Sequence, residues 1–356
     1  MLIAALLVLF STPLGAQKVK KAYVVGFYNM ENLFDPYHDE GKNDYQYLPD
    51  GPYEWNEGKY QRKIHNMARV IRAMADDNGR FHTILGISEV ENRHVVDDLS
   101  NDPQIIDANY QIIHYDSPDS RGIDVAILYR PDQFKLIESE AIKFTFEDSD
   151  IQFSMDKEQQ SFFRTRDIVM ARGTIDGEMC AFFVAHLPSR LGDKGGDLRS
   201  RGAEIIHKRS LELMEEFPGI KIVVMGDMND NPTDESQTVY LHGKARIEDV
   251  EEEGDFFSPF YEMFKAGYGS LAYAGEWNIY DIIQVSASLA KPQDGSLHII
   301  PIVKERKNRY YGRVFSKPFM TNQDGADKGT PYRSFKAGGY IGGYADHYPT
   351  YIIIGK

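Results

Sequence analysis

The sequence is poor in cysteine and in positive charge. Cys180 is the only cysteine among 356 residues, which excludes an intramolecular disulfide and a zinc site built from paired cysteines.

The chain carries 54 acidic against 40 basic residues, a net charge of -14. This balance disfavours a broad surface for duplex nucleic acid, because binding along the phosphate backbone requires clustered cations. A small anionic substrate held by a few arginines and a metal ion remains compatible with it.

Long apolar runs are missing as well. After the first ten residues, no segment is long and apolar enough to span a bilayer, so we do not expect an integral membrane protein. Residues 1–10 (MLIAALLVLF), with Gly15 and Ala16 behind them, resemble a secretory signal peptide over residues 1–17, although the positive leading region is absent. We therefore expect export to the periplasm or the extracellular space. The alternative for this run is a buried first strand.

A helix is expected early in the chain. Residues 58–76 place Ile64, Met67, Ile71 and Met74 at helical spacing, which predicts a helix with one buried face.

The hydrophobic share of 42% supports a well-packed core, and no compositional bias indicates disorder. No internal repeat and no hydrophilic linker marks a domain boundary.

The most informative stretch is KIVVMGDMNDN, residues 221–231. Its apolar run is typical of a strand buried on both faces, and Asp227 and Asn229 follow immediately after Gly226. Open α/β sheets bind their ligands at the carboxyl ends of such strands. The alternative is an ordinary Asp/Asn turn.

Other predicted strands also have polar side chains at their ends or, for Asp281, within them. The collected residues are Asn29, Glu31, Glu89, His186, Asp227, Asn229, Asp281, Asp346 and His347. Hard oxygen ligands favour Mg²⁺ or Mn²⁺, and the sequence has no HExxH motif of a zinc protease. Histidines beside carboxylates suit acid–base chemistry near neutral pH. Together these groups are what metal-assisted hydrolysis of a phosphoester needs.

Six motifs carry a resemblance to a known family. The segments YNMENLF, GISEVEN, FVAHLPS, MGDMND, IYDIIQV and ADHYP occur in the order found in the endonuclease/exonuclease/phosphatase superfamily. This superfamily includes pancreatic-type deoxyribonucleases, sphingomyelinases and inositol polyphosphate 5-phosphatases. The resemblance implies an α/β fold, a four-layered sandwich of two mixed sheets packed face to face with helices outside. It also implies that residues 18–356 form one catalytic domain.

The resemblance also assigns roles on the metal side of the site. Glu89 resembles the principal metal ligand, with Asn29 and Glu31 beside it, and Asp346 is similar to the acid that adjoins the metal. The implied cofactor is Mg²⁺ or Mn²⁺. Asn29 and Glu31 have an alternative role as structural caps.

The catalytic roles follow the same resemblance. Asp227 looks like the residue that aligns or deprotonates the attacking water, with Asn229 as its companion. His347 resembles the histidine that contacts the scissile phosphate, and Asp281 the carboxylate that fixes its tautomer. His186 matches a second histidine of the deoxyribonuclease and sphingomyelinase branches, a candidate acid for the leaving oxygen.

The substrate is less well specified. Arg121 and Arg190 are candidate phosphate ligands, because a guanidinium fork fits a phosphate, although both have an alternative as surface or scaffold residues. We expect a phosphodiester from nucleic acid, a phospholipid head group or a small phosphorylated metabolite. The alternatives are a phosphomonoesterase acting on an inositol or sugar phosphate and a catalytically silent binding module. No obligatory protein partner is evident.

Overall fold

The computed structural model describes residues 21–190, 195–273, 275–305 and 308–356. The predicted signal peptide, residues 1–17, lies outside the described residues. Within the described part of the chain there are twenty strands and six helices, numbered in chain order. None of these helices has both the length and the apolar character required to cross a membrane.

The first sheet has seven strands. Its order is β14-β20-β1-β2-β4-β3, and β17 also pairs with β20. β1 and β2 run parallel, whereas β20 and β4 are antiparallel to their neighbours. Its strands are β1 (Ala22–Leu33), β2 (Ile84–Val90), β3 (Gln111–His114), β4 (Asp124–Tyr129), β14 (His298–Ile300), β17 (Gly312–Val314) and β20 (Thr350–Gly355).

The second sheet also has seven strands, in the order β5-β6-β7-β8-β13-β10-β9. β7 and β8 are parallel, and β13 runs antiparallel to β8. Its strands are β5 (Phe134–Ile142), β6 (Ile168–Ile175), β7 (Glu178–His186), β8 (Lys221–Asp227), β9 (Gly243–Lys244), β10 (Phe256–Phe257) and β13 (Asp281–Ser286). The remaining strands form three small hairpins: β11 (Leu271–Tyr273) with β12 (Glu276–Asn278), β15 (Val303–Glu305) with β16 (Asn308–Tyr310), and β18 (Phe335–Lys336) with β19 (Gly339–Tyr340).

The helices are α1 (Glu57–Asn78), α2 (Arg93–Ser100), α3 (Lys157–Phe162), α4 (Gly196–Glu216), α5 (Tyr261–Lys265) and α6 (Ala287–Ala290). The longer helices pack on the sheets: α1 and α2 on the first and α4 on the second, whereas α3 has no buried residue. α1 begins at the Asn56 cap, whose side chain accepts the Lys59 N–H, and ends at Gly79 in the left-handed conformation that glycine adopts readily. The predicted apolar face of α1 is buried against the first sheet.

Alternation along β1 explains why the sheets need cover on both sides. Val25 and Phe27 belong to the core between the two sheets, whereas Val24 and Tyr28 pack under α1 and α2. Each fully buried apolar side chain of this kind contributes about 1.5–3 kcal/mol. α4 packs in turn on the second sheet, through side chains such as Ile206. The predicted four-layered α/β sandwich is confirmed.

Candidate active site

The strand ends bring the polar motifs to one edge of both sheets. β1 and β2 are parallel, so Asn29 and Glu89 leave the first sheet at the same edge. In the second sheet, His186 at the end of β7 pairs in register with Asp227 at the end of β8. Asp281, the first residue of the antiparallel β13, lies opposite Asp227. Three separate chain segments of the second sheet therefore place polar side chains beside one another.

Asn29 joins the carboxylates of the two sheets. Its Nδ2 donates to Asp227 Oδ2 at 2.9 Å and to Glu89 Oε1 at 3.2 Å, while its Oδ1 accepts the backbone N–H of Glu31 at 2.8 Å. The second oxygen of Glu89 accepts the backbone N–H of Asn32 at 2.9 Å. The orientation of Asn29 is thus determined on both sides, and it holds Glu89 and Asp227 together.

Several of these residues have an uncommon backbone conformation. Positive φ angles occur at Glu31 (46°), Asn32 (55°), Glu89 (58°) and Asn229 (50°). The pairing register shifts in β1 and in β2 around the first three. Residues other than glycine in this region cost free energy, and they concentrate at functional sites where the surrounding structure holds them.

His347 is fixed by a buried acid. Its Nδ1 lies 2.8 Å from Asp281 Oδ2, which also accepts the Ser270 hydroxyl at 2.5 Å. Its Nε2 lies 3.9 Å from Asp227 Oδ2. Burial opposes a positive charge on His347, but the carboxylates of Asp281 and Asp227 outweigh it and hold its pKa well above the usual range.

His186 has the opposite electrostatic environment. Its Nε2 lies 3.8 Å from Glu89 Oε1 and 3.7 Å from Asp227 Oδ2, and its side chain is buried. Burial, together with the positive charges of Arg166 and Arg121, lowers the pKa of His186 well below its usual range. The two histidines of the site therefore differ in charge near neutral pH.

Asp227 lies at the centre of the group. Its Oδ1 accepts the backbone N–H of Asn229 at 3.0 Å, and the Asn229 side chain donates to the Leu187 carbonyl at 3.0 Å. Burial raises the pKa of Asp227 to about 7; Asp281 and Glu89 add to this, and His347 opposes it. A carboxylate with this pKa can accept a proton near neutral pH.

The two predicted arginines both line the cavity, but they differ in how closely they are paired with acids. The Arg121 side chain is half exposed, and its Nε lies 3.8 Å from Asp119 Oδ1. Arg190 Nη2 lies 3.3 Å from both Asp230 Oδ1 and Asp234 Oδ2. The Arg190 charge is therefore paired with two acids, of which Asp230 also lies 2.8 Å from Arg199 Nε.

Two predicted metal ligands lie in different places. Asp346 lines the cavity, and its Oδ1 is 4.0 Å from His347 Nε2. Glu31 is not brought to the cavity, because its carboxylate accepts the backbone N–H groups of Ser334 at 2.5 Å and Phe335 at 3.3 Å and the Arg333 Nε at 3.0 Å. The Glu31 carboxylate therefore holds residues 333–335 in place. This arrangement corresponds to the structural cap considered as an alternative from the sequence.

Three contributors have no signal in the sequence. Arg166 donates from Nε to the His186 carbonyl at 3.0 Å and from Nη2 to the Leu187 carbonyl at 2.8 Å, and it lines the cavity. Ser270 bonds Asp281, and Arg333 Nη2 bonds Asp346 Oδ2 at 3.2 Å. Each lies outside the six motifs, and its role depends on long-range packing that spacing does not reveal.

The assembled residues enclose a cavity of about 530 Å³. Leu271, Tyr273 and Tyr280 form an apolar part of its wall. Two sets of side chains are close enough to share a metal ion: Glu89 with His186 and Asp227, and Asp227 with Asp281 and His347. The size and the lining are typical of a site for a small ligand or for one segment of a larger one.

Comparison of the described fold with solved structures gives many similar chains. An endonuclease/exonuclease/phosphatase family protein from Bacteroides thetaiotaomicron has a TM-score of 0.55 at 15% identity, covering 94% of this chain and 98% of that one. Humanized TDP2 of D. rerio has a TM-score of 0.53 at 12% identity, covering 94% and 99%. A mannosyl-6-phosphatase from Bacteroides thetaiotaomicron VPI-5482 has a TM-score of 0.51 at 14% identity, covering 93% and 99%. These identities indicate likeness of fold alone.

The sequence itself identifies the family. Among curated proteins, none matches this chain. The model of the Endonuclease/Exonuclease/phosphatase family, in contrast, matches residues 24–356, which include all six motifs. This match agrees with the resemblance seen in the motifs and with the four-layered fold. The protein belongs to the Endonuclease/Exonuclease/phosphatase family.

Proposed function

We propose that the protein is a hydrolase that depends on Mg²⁺ or Mn²⁺ and cleaves a phosphodiester by in-line attack of water. The observation that carries this proposal is the meeting of two buried networks at one cavity. In the first, Asn29 joins Glu89 to Asp227; in the second, Asp281 orients His347. One network supplies carboxylate oxygens, and the other supplies a charged hydrogen-bond donor.

The donor set fits a hard divalent cation. Glu89, Asp227 and Asp281 provide carboxylates near one another, and Asp346 lines the same cavity. His347 lies within 4.0 Å of Asp227, Asp281 and Asp346, and Arg333 also pairs with Asp346 at 3.2 Å. Such an excess of negative charge suits Mg²⁺ or Mn²⁺. Glu89 would hold the ion, with Asp346 beside it, and Asn29, whose Oδ1 accepts the Glu31 N–H, would orient Glu89 through its amide. When bound, the ion would neutralise phosphate oxygens and stabilise the charge of the transition state.

Asp227 is the residue proposed to activate water. The Asn229 N–H binds one of its oxygens and the Asn29 amide the other, so the carboxylate has one orientation. A pKa near neutrality lets it accept the proton of the attacking water. Substitution of either amide would loosen this orientation.

The two histidines are proposed to act on the phosphate and on the leaving group. The hydrogen bond from Nδ1 of His347 to Asp281 leaves its Nε2–H to donate to a phosphate oxygen. His186 is neutral beside Arg166. An anionic phosphate in the cavity would raise its pKa and favour the protonated form that a leaving oxygen requires.

Charge favours a diester over a monoester. A diester carries one negative charge, whereas a terminal phosphate carries between about 1.5 and 2 near neutral pH. Arg190 is paired with Asp230 and Asp234, and Arg166 with Asp119, so these guanidinium charges are partly neutralised. Arg121, whose Nε lies 3.8 Å from the same Asp119, is the least closely paired of the three arginines. Together with His347 and one cation, it would match the charge of a diester phosphate.

The second candidate is a phosphomonoesterase acting on a sugar or inositol phosphate. Its support is the likeness in fold to the mannosyl-6-phosphatase described above. For such a substrate, Arg121 and Arg190 would both have to bind the terminal phosphate, which requires Arg190 to leave its acidic partners.

The experiment compares hydrolysis of bis(p-nitrophenyl) phosphate and p-nitrophenyl phosphate in Mg²⁺, in Mn²⁺ and in EDTA. Asp227→Asn tests the site, and Asp132→Asn on the exposed surface is the matched control. We expect diester cleavage that EDTA and Asp227→Asn abolish and that the control retains. A preference for the monoester would transfer support to the second candidate. If well-folded protein turned over neither compound, nor DNA, RNA, sphingomyelin and inositol phosphates, the fold would be a silent binding module.

A further inference from the structure

A second group of metal-binding side chains lies at the base of the loop between β3 and β4. His114 is the last residue of β3, Asp124 is the first residue of β4, and Asp116 lies between them. One nitrogen or oxygen atom from each lies within 4.8 Å of those of the other two. None of the three lines the catalytic cavity.

One distance within this group matches that of a coordinated ion. His114 Nε2 lies 3.3 Å from Asp124 Oδ2. Asp116 Oδ1 lies 3.9 Å from the other ring nitrogen, Nδ1, so the exposed Asp116 side chain would have to turn toward Nε2 to bind the same ion. Two ligand atoms that are each about 2.0–2.1 Å from a tetrahedral ion lie about 3.3 Å apart. The first distance therefore leaves room for a metal between imidazole and carboxylate.

The buried nitrogen of His114 lacks a partner of its own. The His114 side chain is 3% exposed and that of Asp124 is 2% exposed. His114 Nε2 makes no hydrogen bond, although Asp124 Oδ2 is near, because the two groups are not aligned for one. A buried polar atom left unsatisfied costs about 1–3 kcal/mol, and a metal ion at this place would remove that cost.

Charge at the group also favours a cation. In the described ranges, no lysine or arginine nitrogen lies within 4.0 Å of the Asp116 or Asp124 carboxylate. Asp124 Oδ1 accepts the backbone N–H of Ser117 at 3.0 Å, which leaves Oδ2 for a further ligand. The two carboxylates and the imidazole therefore have no paired basic side chain in the described ranges, although Lys143 and Arg164 line the cavity next to Asp116.

The group is open to an incoming ion on one side. Asp116 is 81% exposed at its side chain and lines a cavity of about 490 Å³, which Lys143, Arg164 and Asp167 also line. An ion can enter from solvent, and water can complete its coordination. Imidazole with carboxylates suits Zn²⁺ and related first-row ions better than Mg²⁺, which prefers oxygen ligands and retains its waters.

We propose that His114, Asp116 and Asp124 form a Zn²⁺ site separate from the catalytic centre, with water as the fourth ligand. The ion joins the two ends of the loop of residues 115–123. That loop carries Asp119 and Arg121 to the catalytic cavity. Zn²⁺ at its base would restrict the positions of both side chains and raise the stability of the β3–β4 hairpin.

The test is isothermal titration of the full chain with Zn²⁺ in saturating Mg²⁺, together with thermal unfolding. The protein with Glu89→Gln and Asp227→Asn serves as the background, because Glu89→Gln alone would lose Mg²⁺ and leave Asp227 and His347 open to Zn²⁺. We expect one equivalent of Zn²⁺ bound at micromolar or lower Kd, with a rise in Tm. His114→Gln should abolish both effects, and Asp116→Asn should weaken binding at least tenfold. Asp132→Asn should leave binding unchanged.

Asp116→Asn keeps the test decisive if His114→Gln does not fold, since the Asp116 side chain is on the surface. Absence of Zn²⁺ binding to the background protein would overturn the proposal. Zn²⁺ affinity that is the same with and without Asp116→Asn would overturn it as well.

Discussion

The two ends of the central strands differ in how their charged side chains are paired. At the end remote from the cavity, Glu178 begins β7 and is approached by Lys356 at 2.9 Å and by Lys221 at 4.0 Å. The Lys356 and Glu178 side chains are partly exposed and that of Lys221 is buried, and each charge has an opposite partner. At the cavity, Glu89, Asp227 and Asp281 lie close together, with His347 as the cation among them.

This difference indicates that the charges at the cavity serve function, whereas those at the remote end serve neither function nor much stability. Exposed ion pairs contribute little to stability and are screened by salt, so they tolerate substitution. Buried carboxylates in excess over cations cost free energy, because their mutual repulsion and desolvation are not compensated. The left-handed φ angles at Glu31, Glu89 and Asn229 add to that cost. Such an arrangement is maintained for a ligand, which in our account is a cation with a phosphate.

The largest effect is expected for Asp227→Asn. Loss of the carboxylate that accepts the water proton should reduce kcat for the diester by about 10³-fold or more. The amide is isosteric and removes a buried negative charge, so the metal-free protein should unfold at the same or a higher temperature. A variant that lost activity and also melted well below the wild type would contradict this assignment of the charge to function.

Asp281→Asn should have the next largest effect. Without the carboxylate, His347 loses the partner at Nδ1 that fixes its tautomer and supports its charge. We expect a decrease of about 10²-fold in kcat with little change in KM, measured by steady-state kinetics. An increase in KM at constant kcat would instead indicate that His347 serves only to bind the substrate.

The two arginines provide a smaller and sharper contrast. Arg121→Ala should lower kcat/KM for the diester by about 10- to 100-fold, because a hydrogen bond to a charged group contributes about 1.5–3 kcal/mol. Arg190→Ala should lower it by less than about fivefold, because Asp230 and Asp234 already occupy that guanidinium. Equal losses in the two variants would show that Arg190 binds the phosphate too, as a monoesterase requires.

The pH dependence of stability tests the raised pKa of Asp227. The pKa of Asp227 is raised from 3.8 to about 7, so the folded protein holds a proton that the unfolded chain releases. In EDTA, wild-type stability relative to Asp227→Asn should therefore fall as pH rises from about 4 to about 7. Mg²⁺ should reduce that fall. Parallel denaturation curves across this range would argue against the raised pKa.

The smallest effect belongs to the remote end. Lys356→Met removes an exposed ion pair with Glu178, and we expect Tm to change by no more than about 2 °C and activity by less than about twofold. A large loss of activity would show that the two ends of the strands are coupled.

Several features of the fold follow from sequence patterns because their causes are local. The spacing of Ile64, Met67, Ile71 and Met74 predicts α1, which the structure places at Glu57–Asn78. The apolar run before Asp227 predicts β8. Strand order does not follow from such patterns, since β1 lies between β2 and β20, which are distant in the chain. Only the family resemblance indicated the four layers in advance.

The same limit applies to the site. Position at strand ends was enough to select Asp227 and His186, but the contact of His347 with Asp281 joins segments 66 residues apart. The family resemblance implies that Glu31 lies beside the metal. The register shift in β1 and the donors of residues 333–335 instead engage its carboxylate. Arg166 depends on tertiary packing in the same way.

The most direct measurement compares the metal concentration needed for binding with that needed for catalysis, in variants at the two ends of the central strands. Titration of wild type, Glu89→Gln and Glu178→Gln with Mn²⁺, by calorimetry and by diester hydrolysis, would give a binding constant and an activation constant for each. Our account predicts that the two constants agree in the wild type and in Glu178→Gln, and that Glu89→Gln loses both binding and turnover. Full activity in Glu89→Gln at the wild-type metal concentration would contradict the proposed site.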